Sequence, residues 1–131
     1  MRILVTAGPT REHLDPVRFL SNRSSGKMGY AVAEAARSRG HDVVLVTGPV
    51  SLATPDSILT EKVISAEEML AAVRHHFSTC DVLIMAAAVA DWRPATRSGQ
   101  KLKKLRTARE LLLEPTPDIL AMLHPIKGER L

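Results

Sequence analysis

Ser24, Ser25, Gly26 and Lys27 stand together at the start of a helical pattern. Two hydroxyls, a glycine that lets a backbone come close, and the positive end of a helix dipole make a cradle for an anion. The common nucleotide loops do not account for it. A Walker A loop would need Gly at position 21 and Ser or Thr at 28, where the chain has Ser21 and Met28. Gly8-Pro9-Thr10 does not fit G-x-G-x-x-G, and Thr47-Gly48 offers no acidic group to a ribose 2′-hydroxyl. A dinucleotide site of the usual kind is disfavoured. A plainer reading of the same residues makes Ser25 only a helix cap.

Asp15, Arg18 and Asn22 lie in the same connection. Asp15-Pro16 is an ordinary turn former. Asn22 carries a donor and an acceptor without charge, which suits orienting an acyl group or its oxyanion rather than acting as a base. Further on, Ala86-Ala87-Ala88-Val89-Ala90 is followed by Asp91. Small side chains there would let a flat base or ribose lie against the backbone, and Asp91 could hold a ribose hydroxyl or a Mg²⁺-bound water. Lys101, Lys103 and Lys104 read either as a solvated loop or as a mobile flap closing onto a triphosphate. His75 and His76 are expected on a helix surface, His13 has no visible partner, and Cys80 reads as a small buried hydrophobe.

These residues need a scaffold. Arg2 to Thr6 reads as a strand ending at Gly8-Pro9, and residues 7–25 as a long polar connection. A helix follows from Gly26 to Gly40, with Met28, Ala31, Val32, Ala35 and Ala36 on one face. Strands are expected at Asp42–Thr47, Leu59–Ile64 and Val82–Met85. Ser65 with Glu68 has the capping-box form and opens a helix with Met69, Leu70, Val73 and Phe77 inward. Pro117-Asp118-Ile119 starts a last helix running to about Leu123. The order predicts an α/β fold: a Rossmann-like, doubly wound, mainly parallel sheet in the order 3-2-1-4. Its switch point falls between strands 1 and 4, where ligands bind such sheets, and segments 7–27 and 86–110 both leave from there.

Composition agrees with one domain spanning residues 1–131. Apolar residues make up 45% and mean hydropathy is close to zero, so the chain has a globular core. Four aromatics, Phe19, Tyr30, Phe77 and Trp92, are too few for base-stacking nucleic-acid recognition. The longest apolar run, Val82–Ala90, is too short for a membrane span. One cysteine and no signal-peptide layout point to the cytoplasm. The net charge of +4 is unevenly spread: residues 93–109 hold seven Lys and Arg and no acid, leaving eleven basic against fourteen acidic residues elsewhere. A flexible basic flap at about 93–110, meeting a polyanion locally, is the expectation. Sequence-independent nucleic-acid binding by this flap is the weaker alternative.

Six blocks resemble the phosphopantothenate–cysteine ligase family, the C-terminal domain of the bacterial bifunctional coenzyme A flavoprotein. They are Val5-Thr6-Ala7-Gly8-Pro9-Thr10-Arg11-Glu12; Leu14-Asp15-Pro16-Val17-Arg18; Ser21-Asn22-Arg23-Ser24-Ser25-Gly26-Lys27-Met28-Gly29; Thr47-Gly48-Pro49-Val50; Ala86 to Asp91; and Lys101-Leu102-Lys103-Lys104. The resemblance implies ligation of 4′-phosphopantothenate to cysteine, using CTP and Mg²⁺, through an acyl-cytidylate. It implies that Ser24, Ser25 and Gly26 hold phosphate and that Lys101 stabilises the triphosphate. Ala87, Ala88 and Asp91 would line the nucleotide pocket, with Gly8, Lys27, Lys103 and Lys104 beside it. Asp15, Arg18 and Asn22 would serve the acyl half. Mg²⁺ would ride mainly on the phosphates. It also implies a homodimer, and a flavin-dependent decarboxylase domain fused to or accompanying this one. Family members continue with another strand and a lysine-bearing helix, so this chain is expected to lack the family's C-terminal part. A CTP-binding but inactive fragment is the alternative function.

Overall fold

Ile3 and Leu4 are neighbours in sequence, yet their side chains enter different cores. That alternation fixes the architecture. The computed structural model describes residues 1–131. Its strands and helices, in chain order, are β1 (Arg2–Ala7), β2 (Arg11–His13), β3 (Phe19–Ser21), α1 (Lys27–Ser38), β4 (Asp42–Thr47), β5 (Leu59–Lys62), α2 (Ala66–Phe77), β6 (Val82–Met85), β7 (Trp92–Pro94), β8 (Leu113–Pro115) and α3 (Ile119–Leu123). A short 3-10 turn, His124–Ile126, follows. The main sheet is parallel throughout and ordered β5-β4-β1-β6, which is the predicted 3-2-1-4. Val5 on the central strand faces Leu45 of β4 and Ile84 of β6.

Ile3, Val5, Val43 and Leu45 pack against Tyr30, Ala33 and Ala36 of α1. Leu4, Val44 and Val46 pack against Met69, Leu70, Val73 and Phe77 of α2 and against Ile119 and Leu123 of α3. Both faces are therefore covered, which explains the unbroken apolar runs Ile3–Val5 of β1 and Val43–Val46 of β4. Ser65 caps α2 as predicted: its hydroxyl accepts from the Glu68 amide at 3.2 Å, while the Glu68 carboxylate accepts from the Ile64 amide at 2.8 Å.

Several expectations need correction. The buried face of α1 is Gly29, Tyr30, Ala33 and Ala36, and Met28 is 75% exposed. The reason is steric. A Cβ on Gly29 would lie 2.5 Å from the Ala7 Cβ, so α1 turns its glycine, not its most apolar residue, toward β1. Residues 7–25 are not merely a connection: β2 and β3 form an antiparallel ribbon within them, and β7 pairs with β8 in a second. His76 is buried rather than on the surface, with Nε2 2.8 Å from Glu61 Oε2 on β5. The outer edge of β6 is partly met by the last residue: the Leu83 amide donates to the Leu131 carbonyl at 2.8 Å, and the Leu131 amide to Asp81 at 3.1 Å.

Candidate functional site

Beyond Ala7 and Met85 the chains leaving β1 and β6 stay side by side. The Ala88 amide donates to Gly8 O at 2.9 Å and the Thr10 amide to Ala88 O at 3.3 Å. Two threonines complete the seam: Thr6 Oγ1 accepts from the Ala87 amide and Thr10 Oγ1 from the Ala90 amide. Across from this seam, Gly8 and Gly26 both have positive φ, +72° and +78°. A Cβ at either position would come within 2.8 Å of Val50 Cγ1. Within the chain, the close approach that Gly26 permits is that of the loop after β4 and of the Gly8 backbone.

Helix α1 begins without a side-chain cap, because its N-cap is Gly26. Ser24 Oγ accepts from the Gly26 amide at 3.2 Å, and Ser25 Oγ lies at the outer limit of bonding, 3.5 Å, from the Lys27 amide. Ser25 is therefore not the cap. The Met28 and Gly29 amides find no acceptor within the chain. Unsatisfied donors at a helix amino end, backed by the dipole, are what an anion needs. A cavity of about 620 Å³ opens here, lined by Arg11, Asn22, Ser24, Ser25, Lys27 and the 49–52 loop, among others. Asn22 forms one wall. Its Nδ2 donates to Ala88 O at 3.0 Å and Val89 O at 3.2 Å, leaving Oδ1 without a partner in the chain. The cradle and the β6 extension are joined through this one side chain.

Asp15 behaves differently. It is wholly buried, and five donors reach its carboxylate: the Val17 and Arg18 amides on Oδ1, and Arg18 Nε, Arg18 Nη2 and the Leu102 amide on Oδ2. The Arg18 guanidinium holds the carboxyl well below the usual carboxylate range, against the opposing effect of burial, and the Val17, Leu102 and Arg18 amides add to the lowering. Arg18 Nη2 also donates to Leu102 O at 2.6 Å. The sequence reading placed Asp15 at the acyl substrate. No oxygen is open to one, and Asp15 instead pins Leu102 between Lys101 and Lys103.

That knot, with the Ser98 amide donating to Leu14 O at 2.9 Å, tethers the basic segment. The expected flap at 93–110 is narrower than predicted. Arg93 and Pro94 belong to β7, and Arg93 is bound to Glu114 at 2.8 Å and Glu67 at 3.2 Å, the Glu114 bond holding the guanidinium in its charged form. Residues 103–111 form an unbroken run in this region that makes no hydrogen bonds. Lys101, Lys103 and Lys104 are exposed and line none of the larger cavities that hold Ser24 or Asn22. Asp91 lines a separate cavity of about 270 Å³ with Asp118 and Thr116, and Ala87 packs against the α2 core. No group of three His, Cys, Asp or Glu side chains is placed to hold a metal. Cys80 is buried with its thiol pushed up by burial.

Sequence reasoning missed Arg11 and Glu12. Arg11 lies 4.5 Å over the Phe19 ring, and the buried Glu12 accepts from the Ala66 amide at 2.7 Å, tying the β2–β3 ribbon to the start of α2. Their signal was available in the Thr10-Arg11-Glu12 block but carried no periodicity.

The whole chain, residues 1–131, matches the family model described as DNA/pantothenate metabolism flavoprotein C-terminal domain. The chain belongs to this family. A coenzyme A biosynthesis bifunctional protein CoaBC from Vibrio vulnificus is 51% identical over 98% of this chain and 32% of its own length. The crystal structure of the C-terminal domain of a CoaBC protein is 48% identical, with a TM-score of 0.86 over 99% of this chain and 61% of that one. A Cab2 mutant in complex with phosphopantothenate-cysteine has the same fold, at 20% identity and TM-score 0.74 over 98% of this chain and 60% of that one. The chain spans about a third of the length of the curated relatives it matches. No helix is long and apolar enough to cross a membrane.

Proposed function

We propose that the chain carries the CTP-dependent ligation of 4′-phosphopantothenate to cysteine, through an acyl-cytidylate, in cytoplasmic coenzyme A synthesis. The observation that carries this reading is the spare donor set at the α1 amino end beside a cavity walled by Asn22. Membership of the family supports it. In the first step a substrate carboxylate oxygen bonds to the α-phosphorus of CTP, the bond to the bridging oxygen breaks, and pyrophosphate leaves. In the second the cysteine amine bonds to the acyl carbon, CMP leaves with the electron pair, and the amine proton passes to solvent.

Ser24, Ser25, Lys27 and the α1 amides hold phosphate. The Gly8 turn shapes the floor beneath them, and Gly26 acts through its backbone. Lys101, with Lys103 and Lys104, neutralises triphosphate charge once the 103–111 stretch folds inward, and Asp15 positions it through Leu102. Arg18 keeps Nη1 available for the acyl substrate. Asn22 Oδ1 orients the acyl group. Ala88 and Asp91 extend the pocket toward the nucleoside, and Ala87 supports them from the core. Mg²⁺, when bound, offsets charge on the leaving pyrophosphate. Asp91 has only Asp118 near it, a donor set that fits a metal carried by the phosphates rather than by the protein. The exposed Trp92, Leu112 and Leu113 of the β7–β8 region support a homodimer, and a flavin-dependent decarboxylase domain would precede or accompany this one.

The test is pyrophosphate release that needs both CTP and 4′-phosphopantothenate, followed by CMP release on adding cysteine. Asn22→Asp is expected to slow CMP release more than pyrophosphate release. Equal loss in both steps would remove its assigned role. CTP binding with no pyrophosphate release would instead favour a binding unit without catalysis.

A further inference from the structure

Thr10 is wholly buried, and its amide, carbonyl and hydroxyl each engage a different neighbour. The amide donates to Ala88 O at 3.3 Å, Oγ1 accepts from the Ala90 amide at 2.9 Å, and the carbonyl accepts from Ser21 Oγ at 2.6 Å. Two of these bonds grip the extension of β6. The third grips β3 at the residue before Asn22. Asn22 then closes the circuit, because its Nδ2 reaches the same Ala88 carbonyl at 3.0 Å and Val89 O at 3.2 Å. A carbonyl oxygen has two lone pairs, and at Ala88 Thr10 and Asn22 take both.

The Asn22 side chain is exposed, and an exposed carboxamide ordinarily samples several rotamers. Here the two carbonyls that hold it belong to a segment fixed at both ends. The Ala88 amide is bonded to Gly8 O, and Ala90 O accepts from Thr116 Oγ1 at 2.5 Å. The weak point of this segment is the Ala90 amide. Ala90 is buried, so its N–H has no water to turn to when the Thr10 hydroxyl is removed.

We propose that Thr10 is a positioning residue for the ligation. It sets the spacing between β3 and the β6 extension, and so holds the Asn22 carboxamide in one orientation with Oδ1 left over for the acyl group. The inference rests on the acyl role given to Asn22 above. Being buried, Thr10 acts only through its neighbours: its hydroxyl through Ala90, its carbonyl through Ser21.

The experiment measures CMP release by the full chain and, without ligands, the Asn22 side-chain amide resonances. Thr10→Val keeps the shape and removes the acceptor, Thr10→Ser keeps the acceptor, and Ser21→Ala frees the Thr10 carbonyl at an exposed position. Thr10→Val and Ser21→Ala should each lower kcat for CMP release about tenfold while KM for CTP stays within about twofold, since a small misplacement costs rate. Both should shift the Asn22 side-chain amide, and Thr10→Ser should restore rate and shift. In an Asn22→Ala background neither change should slow CMP release further. Thr10→Ser as slow as Thr10→Val, equal losses with and without Asn22, or a rise in KM for CTP at constant kcat would overturn the proposal. If Asn22→Ala itself leaves CMP release intact, the acyl role of Asn22 fails separately. The ligand-free spectrum then decides, and an Asn22 amide unmoved by Thr10→Val and Ser21→Ala refutes the positioning.

Discussion

Two stretches of one connection, residues 14–18 and 22–29, use polar groups in opposite ways. In the first, Asp15 has every oxygen engaged and Arg18 spends two of its nitrogens on the same knot. In the second, Met28 and Gly29 keep free amides and Asn22 keeps a free oxygen. A saturated group builds position, and an unsaturated one awaits a ligand. Residue type does not separate the two cases. A carboxylate looked more chemical than a backbone amide, and the amide is the group left open.

The contrast can be broken most severely at Gly26. Gly26→Ala imposes a left-handed φ on a side-chain residue and drives a Cβ toward Val50. A loss of about 2–4 kcal/mol by urea denaturation is expected, together with loss of nucleotide binding. Adding Val50→Ala should recover part of the stability; no recovery would mean that the Val50 contact is not the obstacle.

Asp15→Asn attacks the saturated side. It keeps the shape but removes the charge that the Arg18 guanidinium faces. Faster proteolysis within residues 98–111 is expected, with a fall in pyrophosphate release while CTP still binds. The pH dependence has a fixed sign. Because the folded Asp15 carboxyl titrates below its unfolded value near ~3.9, its stabilisation is complete above about pH 4 and is lost as pH falls through the folded value. Urea midpoints from pH 6 down to pH 2 should fall less steeply in Asp15→Asn than in the parent chain.

The smallest effect belongs to the untethered lysines. Lys103→Gln with Lys104→Gln should move stability by no more than about 0.5 kcal/mol. CTP affinity should drop a few fold, and the drop should shrink as salt is raised.

The sheet was legible because β-branched runs such as Asp42–Thr47 admit no other element, and the capping residues of α2 and α3 announced themselves. The face of α1 was not. Hydrophobicity gives Gly29 no weight, yet the absence of its side chain is what lets the helix dock. The β2–β3 ribbon was hidden because Arg11-Glu12-His13 shows neither alternation nor apolar content. In the site, Ser24, Ser25, Lys27 and Asn22, close in sequence, line one cavity. Asp91 and the lysines lie outside it, and their placement depends on ribbons that three-residue strands cannot declare. The tie from Asp15 to the basic segment was not legible because Leu102, unlike Val17 and Arg18, lies 87 positions away in sequence.

The central claim is that the amino end of α1 takes nucleotide phosphates beside Asn22. Titrating CTP against the isotopically labelled chain and following backbone amides tests it most directly. The account predicts that Met28 and Gly29 show the largest downfield shifts, with the Asn22 side-chain amide moving at the same midpoint. Large shifts confined to residues 98–111, with Met28 and Gly29 still, would contradict it.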